Sequence, residues 1–475
     1  MANKKISNLP EYNTPQPNDV LPIVNVASSV TQKVPFSAIS ETILSGLIDV
    51  YVTGGTYSAG TATFTNITGG TFDVVGFTTG GSESIIITGS TSDSTLRKDN
   101  SNFAGVRATV FGFNNTASGD TSTVGGGYCN TASNNYATVG GGCFNTASNY
   151  YSTVSGGRCN TASGNTSTVS GGYSNTASNY YSTVGGGCFN TASGVFSTVG
   201  GGYCNTASNN YATVGGGCFN TASGYISTVS GGKSNTASGY TSTVSGGYCN
   251  TASNNYATVG GGCCNTASGY NSTVSGGISN TASGNTSTVG GGRCNTASGN
   301  KSTVSGGYCN TASVCFSTVG GGFCNTASSS ASTVSGGYSN TASGGYTFIG
   351  GGRSNSTITC YSTIVGGLEN SISSHTFSII GGGCFNLIYG GAGTYSVITG
   401  GQCNEINGKF DYGVILGGCK NRLNHCHSFI AGSEICSVSS CTLHANRLWL
   451  GNLPTSSAGL PAGTVWNDTG TLRIV

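Results

Sequence analysis

Two apolar positions recur in every fifteen residues, one Ala and one Val: Ala117 and Val124, then Ala132 and Val139, and so on along most of the chain. Around them one unit reads N-T-A-S-x-x-x-S/A-T-V-G/S-G-G-x-x, and "NTAS" occurs sixteen times, with its Asn at 115, 130, 145 and every 15 residues to Asn340. The phase continues to Asn355 and Asn370, after which Asn386, Asn404 and Asn421 stand 16, 18 and 17 residues apart. The phrase "YCNTASNNYATVGGGCFNTAS" at Tyr128 returns letter for letter at Tyr203. A fixed period of this length is the signature of stacked structural repeats. "NTA" and "STV" alternate in size or are rich in β-formers, and each is followed by Gly, Ser or Asn, which predicts two short strands and two turns per unit. Period-two alternation sends Ala117, Val124 and Val139 inward, with Asn115 and Ser122 beside them, and turns Thr116 and Thr123 outward.

The predicted fold is all-β: an elongated parallel β-roll or β-solenoid of 15-residue coils, with β-rich end domains. Coils about 4.8 Å apart stack eighteen in-phase units into a rod of roughly 80 to 90 Å. One Ala and one Val per coil read as a thin core for fifteen ordered residues, and Leu is absent between Leu96 and Leu368. Several chains sharing a core would remedy that, and symmetry points to a parallel homotrimer.

Composition narrows the partners. The chain has 475 residues, 82 of them Gly, 6% charged residues and a formal charge of +2. That balance predicts no nucleic-acid partner, and no apolar run is long enough for a membrane-spanning helix, so no membrane insertion is expected. The start, "MANKKISNLPEYNTPQPNDV", has no apolar stretch behind its lysines and is not read as a secretory signal. Twelve of the 20 cysteines fall in two columns of the repeat, which predicts reduced thiols that fill a small slot in each coil rather than disulfides.

The A-S-G-x-x-S-T-V-x-G pattern, over about residues 114 to 383, resembles the head repeats of trimeric autotransporter adhesins, which implies a trimeric parallel β-roll. The end, "GTVWNDTGTLRIV", is unlike the β-barrel anchor of those adhesins. The segment "KKISNLPEYNTPQPNDVLPIVNVASSVTQKVPFSAI" is similar to the amino-terminal part of tail-fibre and virion appendage proteins of tailed phages, where K-I-S-x-L-P leads to a D-x-L-P-I-V strand. Segments from Tyr51 and Leu448 are similar to stretches recurring in fibre-like proteins of marine phages. The resemblance implies a virion fibre assembled in the host cytoplasm, with baseplate, tail or capsid proteins as partners and host surface polysaccharide as receptor.

The expected organisation follows. Residues 1–50 form a virion-attachment segment, broken by Pro10, Pro15, Pro17, Pro22 and Pro35. Residues 51–113 form a β-rich shaft from "ATFTNI", "TFDVVGF" and "SIIIT"; 114–356 form the regular solenoid. In 357–441 Ile358, Ile364, Ile372, Ile379, Ile398, Ile415 and Ile430 enlarge the core as coils lengthen. Residues 442–475, with Trp449 and Trp466, form a cap.

Function is expected where the frame allows variation. The three positions after "NTAS" vary, as does the pair after "GGG", which includes Tyr128, Arg158, Lys233 and Arg293. Tyr136, Tyr150, Tyr211, Tyr240, Tyr256 and Tyr270 predict an aromatic ridge suited to stacking on sugar rings, repeated for avidity. Between Thr121 and Gly352 there is no Asp or Glu, so paired carboxylates for glycan cleavage are missing there and no enzyme is expected. "NHCHS" sets His425 and His427 two apart; on a strand they point the same way, and three chains could present six imidazoles to an axial iron, as the similar H-x-H of some phage long tail fibres implies. Cys419, Cys426, Cys436 and Cys441 nearby offer a zinc alternative; otherwise no cofactor is expected. The other readings are a bacterial surface adhesin, a purely structural spacer, and an ice-binding solenoid built on the outward Thr columns.

Overall fold

The computed structural model describes residues 108–408, 412–447 and most of 451–474, together with five strands nearer the amino terminus. Val20–Asn25 pairs antiparallel with Val30–Pro35, and Val52–Ser58, Thr61–Asn66 and Thr71–Val75 form a three-stranded antiparallel sheet. The K-I-S-N-L-P motif, "SIIIT" and Trp449 lie outside the described residues.

From Ala108 the chain winds as a parallel β-solenoid without a helix among the described residues. Two ladders of 23 and 21 very short strands run its length. In one, each Thr–Val pair meets the next coil's in register, as Thr243–Val244 meets Thr258–Val259; in the other, Thr–Ala pairs do the same, as Thr236–Ala237 meets Thr251–Ala252. Thr is half-buried and Val or Ala fully buried in these strands, so the alternation read from the sequence holds. A third ladder, of single bridges, passes through the first residue after the glycines: Tyr128, Cys143, Arg158, Tyr173 and onward. Each coil is therefore three-sided, where two sides were expected.

Asn115, Ala117, Val124 and Val139 are at most 2% exposed in the single chain. The expectation of a core too thin to close within one chain does not hold, because what fills the centre is only partly apolar. The buried Asn of every coil forms a ladder. In one such coil Asn235 Nδ2 donates to the carbonyls of Gly231 and Gly247, both at 2.9 Å, while its Oδ1 accepts the N–H of Asn250 at 2.9 Å. One side chain thus bonds three main-chain groups at the tight bend of the glycines: it pairs the Gly231 carbonyl and the Asn250 amide, and it adds a second donor to the Gly247 carbonyl, which also accepts the Lys233 amide at 2.9 Å.

Two residues per coil that are not glycine sit in the left-handed region, for example Thr241 (φ 53°) and Cys249 (φ 53°). That conformation costs about 1 to 2 kcal/mol outside glycine. It also reverses the N–H: most ladder bonds run toward the following coil, but Thr241 N–H donates to Tyr225 O of the preceding coil at 2.8 Å and Cys249 N–H to Lys233 O at 3.0 Å. The additional inter-coil bonds offset part of the strain.

The Ser that precedes each Thr–Val pair contributes less. Ser242 Oγ donates to Gly239 O at 2.8 Å, but the buried hydroxyls of Ser272 and Ser287 have no partner, and Ala137, Ala212 and Ala257 take the same place. Ser287→Ala should therefore leave the melting temperature unchanged or raise it, with a gain of up to about 1 kcal/mol.

Between Ser356 and Ala431 Ile replaces Val and Ala in the core. Ile364, Ile372, Ile398, Ile415 and Ile430 are buried as expected, but Ile358 and Ile379 are 55% and 43% exposed. The register explains both: Thr357, paired with Ile372, takes the inward place and turns the next residue, Ile358, outward, and Ile379–Ile380 pairs with Thr363–Ile364, which sets Ile379 in the outward Thr column. Ile349, Ile380 and Ile388 join the core instead. Where the coil grows, His375 enters the centre fully buried, with Nδ1 2.9 Å from Ser396 Oγ and Nε2 2.9 Å from Gly408 O; facing a carbonyl, Nε2 carries the proton. His375→Phe keeps the ring but leaves the Ser396 hydroxyl without its partner and Gly408 O with only the Gly391 amide, at 3.1 Å, so it should cost about 2 kcal/mol, read as faster hydrogen exchange in the coils from 371 to 408.

Leu443–Ala445 adds to Phe429–Ala431 as the last parallel strand, and Val465–Asp468 pairs antiparallel with Thr471–Ile474.

Candidate functional site

The six expected tyrosines lie on the turn between the Thr–Ala and Thr–Val strands, at two adjacent positions. Tyr136, Tyr211 and Tyr256 hold the left-handed position, with φ of 58° each; Tyr150, Tyr240 and Tyr270 precede it. The turn is tight enough that both positions feed one row along the rod. All six are between 38% and 47% exposed.

The row has segments. Tyr136 meets Tyr150 edge-on at 5.5 Å and stacks on Tyr151 at 4.7 Å. After the ring-free turn at Asn165–Thr166 a longer run begins: Tyr181, Phe196, Tyr211, Tyr225, Tyr240, Tyr256 and Tyr270 touch successively at 4.7 to 5.7 Å. The structure thus joins Tyr211, Tyr240, Tyr256 and Tyr270 and separates them from Tyr136 and Tyr150. Tyr151, Phe196 and Tyr225 belong to the row and escaped the sequence reading; the signal was an aromatic at either the second or third place after "NTAS". A further row, Tyr346, Tyr361, Phe377, Tyr395 and Tyr412, ends on His427.

Ring orientation limits what these rows can do. Tyr181, Phe196 and Tyr211 lie within 1° and 9° of parallel, and Tyr225 and Tyr240 within 8°, so their faces are covered by one another. Stacking on sugar rings, the expected mode, is open only at segment ends and at the edge-on junctions such as Tyr240–Tyr256 and Tyr256–Tyr270. Elsewhere the rod presents ring edges and phenol hydroxyls, which suit hydrogen bonding to a hydroxyl-rich ligand.

His425 and His427 lie on this same turn and not on a strand. His425 is half-buried with Nδ1 2.8 Å from Ser437 Oγ, while the exposed His427 ring lies 5.1 Å from that of Tyr412. The strand geometry from which a same-face pair was expected is thus replaced by a turn, and among the described residues no group of three His, Cys, Asp or Glu side chains gathers as a metal set.

The twelve phase-locked cysteines occupy the bridge column and the left-handed position after it, at the surface and not in a core slot. Cys263 and Cys264 sulfurs lie 3.3 Å apart. The phenols of Tyr128, Tyr203, Tyr248 and Tyr308 are pushed up chiefly by hydrogen bonding to the thiol of the following residue, so they stay neutral donors. Two acidic residues beyond the regular coils pair across coils: Glu405 Oε2 accepts from Tyr389 at 2.9 Å and lies 3.6 Å from Arg422 Nε, and Glu434 lies 3.9 Å from Lys420. Burial and that bond to Glu405 push the Tyr389 phenol up.

No helix among the described residues is long and apolar enough to cross a membrane. Residues 332–344 match the model of the ubiquitous surface protein adhesin repeat. No curated protein matches the chain. The match falls on one coil, and the other coils repeat its frame, so the chain is an adhesin-like repeat protein built as a fibrous β-solenoid.

Proposed function

We propose that the protein is a receptor-binding fibre of a tailed-phage particle, attached by its amino-terminal segment and contacting host surface glycans through the turns of its rod. The observation that carries the adhesive part is the division of labour within the regular coil: Asn, Ala and Val are fixed and buried, while apart from a buried Ser/Ala exchange the large side chains that vary stand on the turn and in the bridge column, at the surface. Turns on a rigid frame are where binding surfaces are built, and a row of weak contacts gains by avidity on a polymeric ligand. The virion assignment rests on the likeness of the chain ends to phage fibre proteins. In this reading the fibre is a parallel homotrimer and has no catalytic role.

A glycan-array comparison of the wild-type fibre with Tyr225→Ser/Tyr240→Ser/Tyr256→Ser tests the adhesive part. The expected result is a loss of about tenfold or more in apparent affinity; unchanged binding removes the tyrosine row from the reading, and a wild type that binds no glycan and no cell leaves a spacer. Immunogold labelling of particles decides between a virion fibre and a bacterial surface adhesin, and light scattering of the purified fibre counts its chains.

A further inference from the structure

The third side of the coil carries a feature that the tyrosine row does not. Within the coils from Thr121 to Leu368 the chain has five cations and no Asp or Glu. Four of the five, Arg158, Lys233, Arg293 and Arg353, stand in the bridge column, one residue after the glycines. All four are exposed, and each rests against a tyrosine of the same column in an adjacent coil: Arg158 is 5.8 Å from the centre of the Tyr173 ring, Lys233 5.8 Å from Tyr248, Arg293 5.9 Å from Tyr308, and Arg353 5.3 Å from Tyr338. The ring holds the cation without neutralising it. The fifth cation, Lys301, sits on the other turn over Phe316.

We infer that this edge of the rod binds a linear anionic polysaccharide, with its carboxylates or sulfates on the four column cations and its sugars against the intervening Tyr and Phe. The inference rests on the adhesive reading above and adds the ligand class and a second surface to it. The cations are 75, 60 and 60 residues apart, five, four and four coils, or about 24, 19 and 19 Å at about 4.8 Å per coil. A compact ligand reaches one of them; only an extended polymer reaches all four along one straight edge. No carboxylate stands between Arg158 and Arg353; the exposed Glu369 follows Leu368, the bridge partner of Arg353, so the field is least opposed from Arg158 to Arg293, and long-range attraction adds to contact at low salt.

The test uses the full chain with sized polyuronate, chondroitin sulfate, neutral dextran and duplex DNA, at low and at 0.3 M salt, alongside Arg158→Gln/Lys233→Gln/Arg293→Gln/Arg353→Gln. Gln402 already stands in this column, so the variant should fold, as its circular dichroism will report. The expected result is binding to one or both anionic glycans that weakens with salt, absent for dextran, and at least about tenfold weaker in the variant; the two anionic arms tell carboxylate from sulfate. Equal affinity for dextran, binding to DNA alone, no binding to any polymer, or a variant that binds as wild type overturns the inference. Cell attachment that survives in the variant overturns the basic edge and keeps the adhesive reading; polyanion binding without attachment to any cell supports the edge and removes that reading.

Discussion

Asn235→Asp should open the rod at one coil. The substitution keeps the side chain's shape and its acceptor for the Asn250 amide, but it removes both donors and points a carboxylate oxygen at the carbonyls of Gly231 and Gly247, each 2.9 Å from the present Nδ2. The site is 0% exposed, so water cannot replace what is lost. The Gly231 carbonyl is orphaned, the Gly247 carbonyl keeps only the Lys233 amide, and with a buried charge added the change should cost about 4 kcal/mol or more. In a stacked array each coil is held by its neighbours, so the effect is local: hydrogen exchange of the amides from 231 to 250 should accelerate about a thousandfold, at about 1.4 kcal/mol per factor of ten, while coils ten or more units away exchange as before. Asn235→Ala loses the same donors without adding a charge and should fall between the two. An exchange pattern for Asn235→Asp indistinguishable from wild type would show that the Asn ladder is not what closes the core.

That ladder also explains what the sequence reading reached and what it missed. The inward column of Asn115, Ala117, Val124 and Val139 follows from alternation alone, because a side-chain period of two fixes the face of every residue once one face is known. The closure of the core in one chain does not, since counting apolar side chains omits three hydrogen bonds per Asn. Nor does the third ladder, whose bridge residues Tyr128, Cys143 and Arg158 share no side-chain chemistry and are aligned only by the backbone. Position in the repeat suggested a slot for the cysteines, but the left-handed turn before each Asn carries one set, such as Cys249, and the third ladder the other, such as Cys143, to partly exposed places. The tyrosines were legible as exposed turn residues, whereas their mutual stacking depends on the inter-coil spacing, close to the distance at which rings pack face to face. The same spacing that makes the row continuous withdraws ring faces from a ligand. His375 illustrates a different limit: a solitary histidine in a lengthened coil carries no periodic signal, and only the chain's return past Ser396 and Gly408 gives it partners.

Gly232→Ala should break the rod as decisively as Asn235→Asp, by sterics in place of charge. Gly232 has a φ of 86°, and a Cβ there would lie 2.2 Å from the carbonyl oxygen of Gly247 and 2.6 Å from Asn235 Nδ2. Neither atom can retreat: the carbonyl accepts the Lys233 amide at 2.9 Å, and the amide nitrogen is fixed between two carbonyls. Relief requires the next coil to shift along the axis, and every inter-coil bond at this bend then lengthens together. A cost of about 4 kcal/mol or more is expected, in the range reserved for overpacked or strained backbone sites. The neighbouring Gly231 supplies the control, for a Cβ there meets nothing within 4 Å, and Gly231→Ala should stay within about 0.5 kcal/mol of wild type. Limited proteolysis reads the contrast directly: Gly232→Ala should yield two fragments cut near the altered bend, and Gly231→Ala should remain as intact as wild type. If both variants resist cleavage equally, the close approach of successive coils at this glycine is looser than the geometry requires.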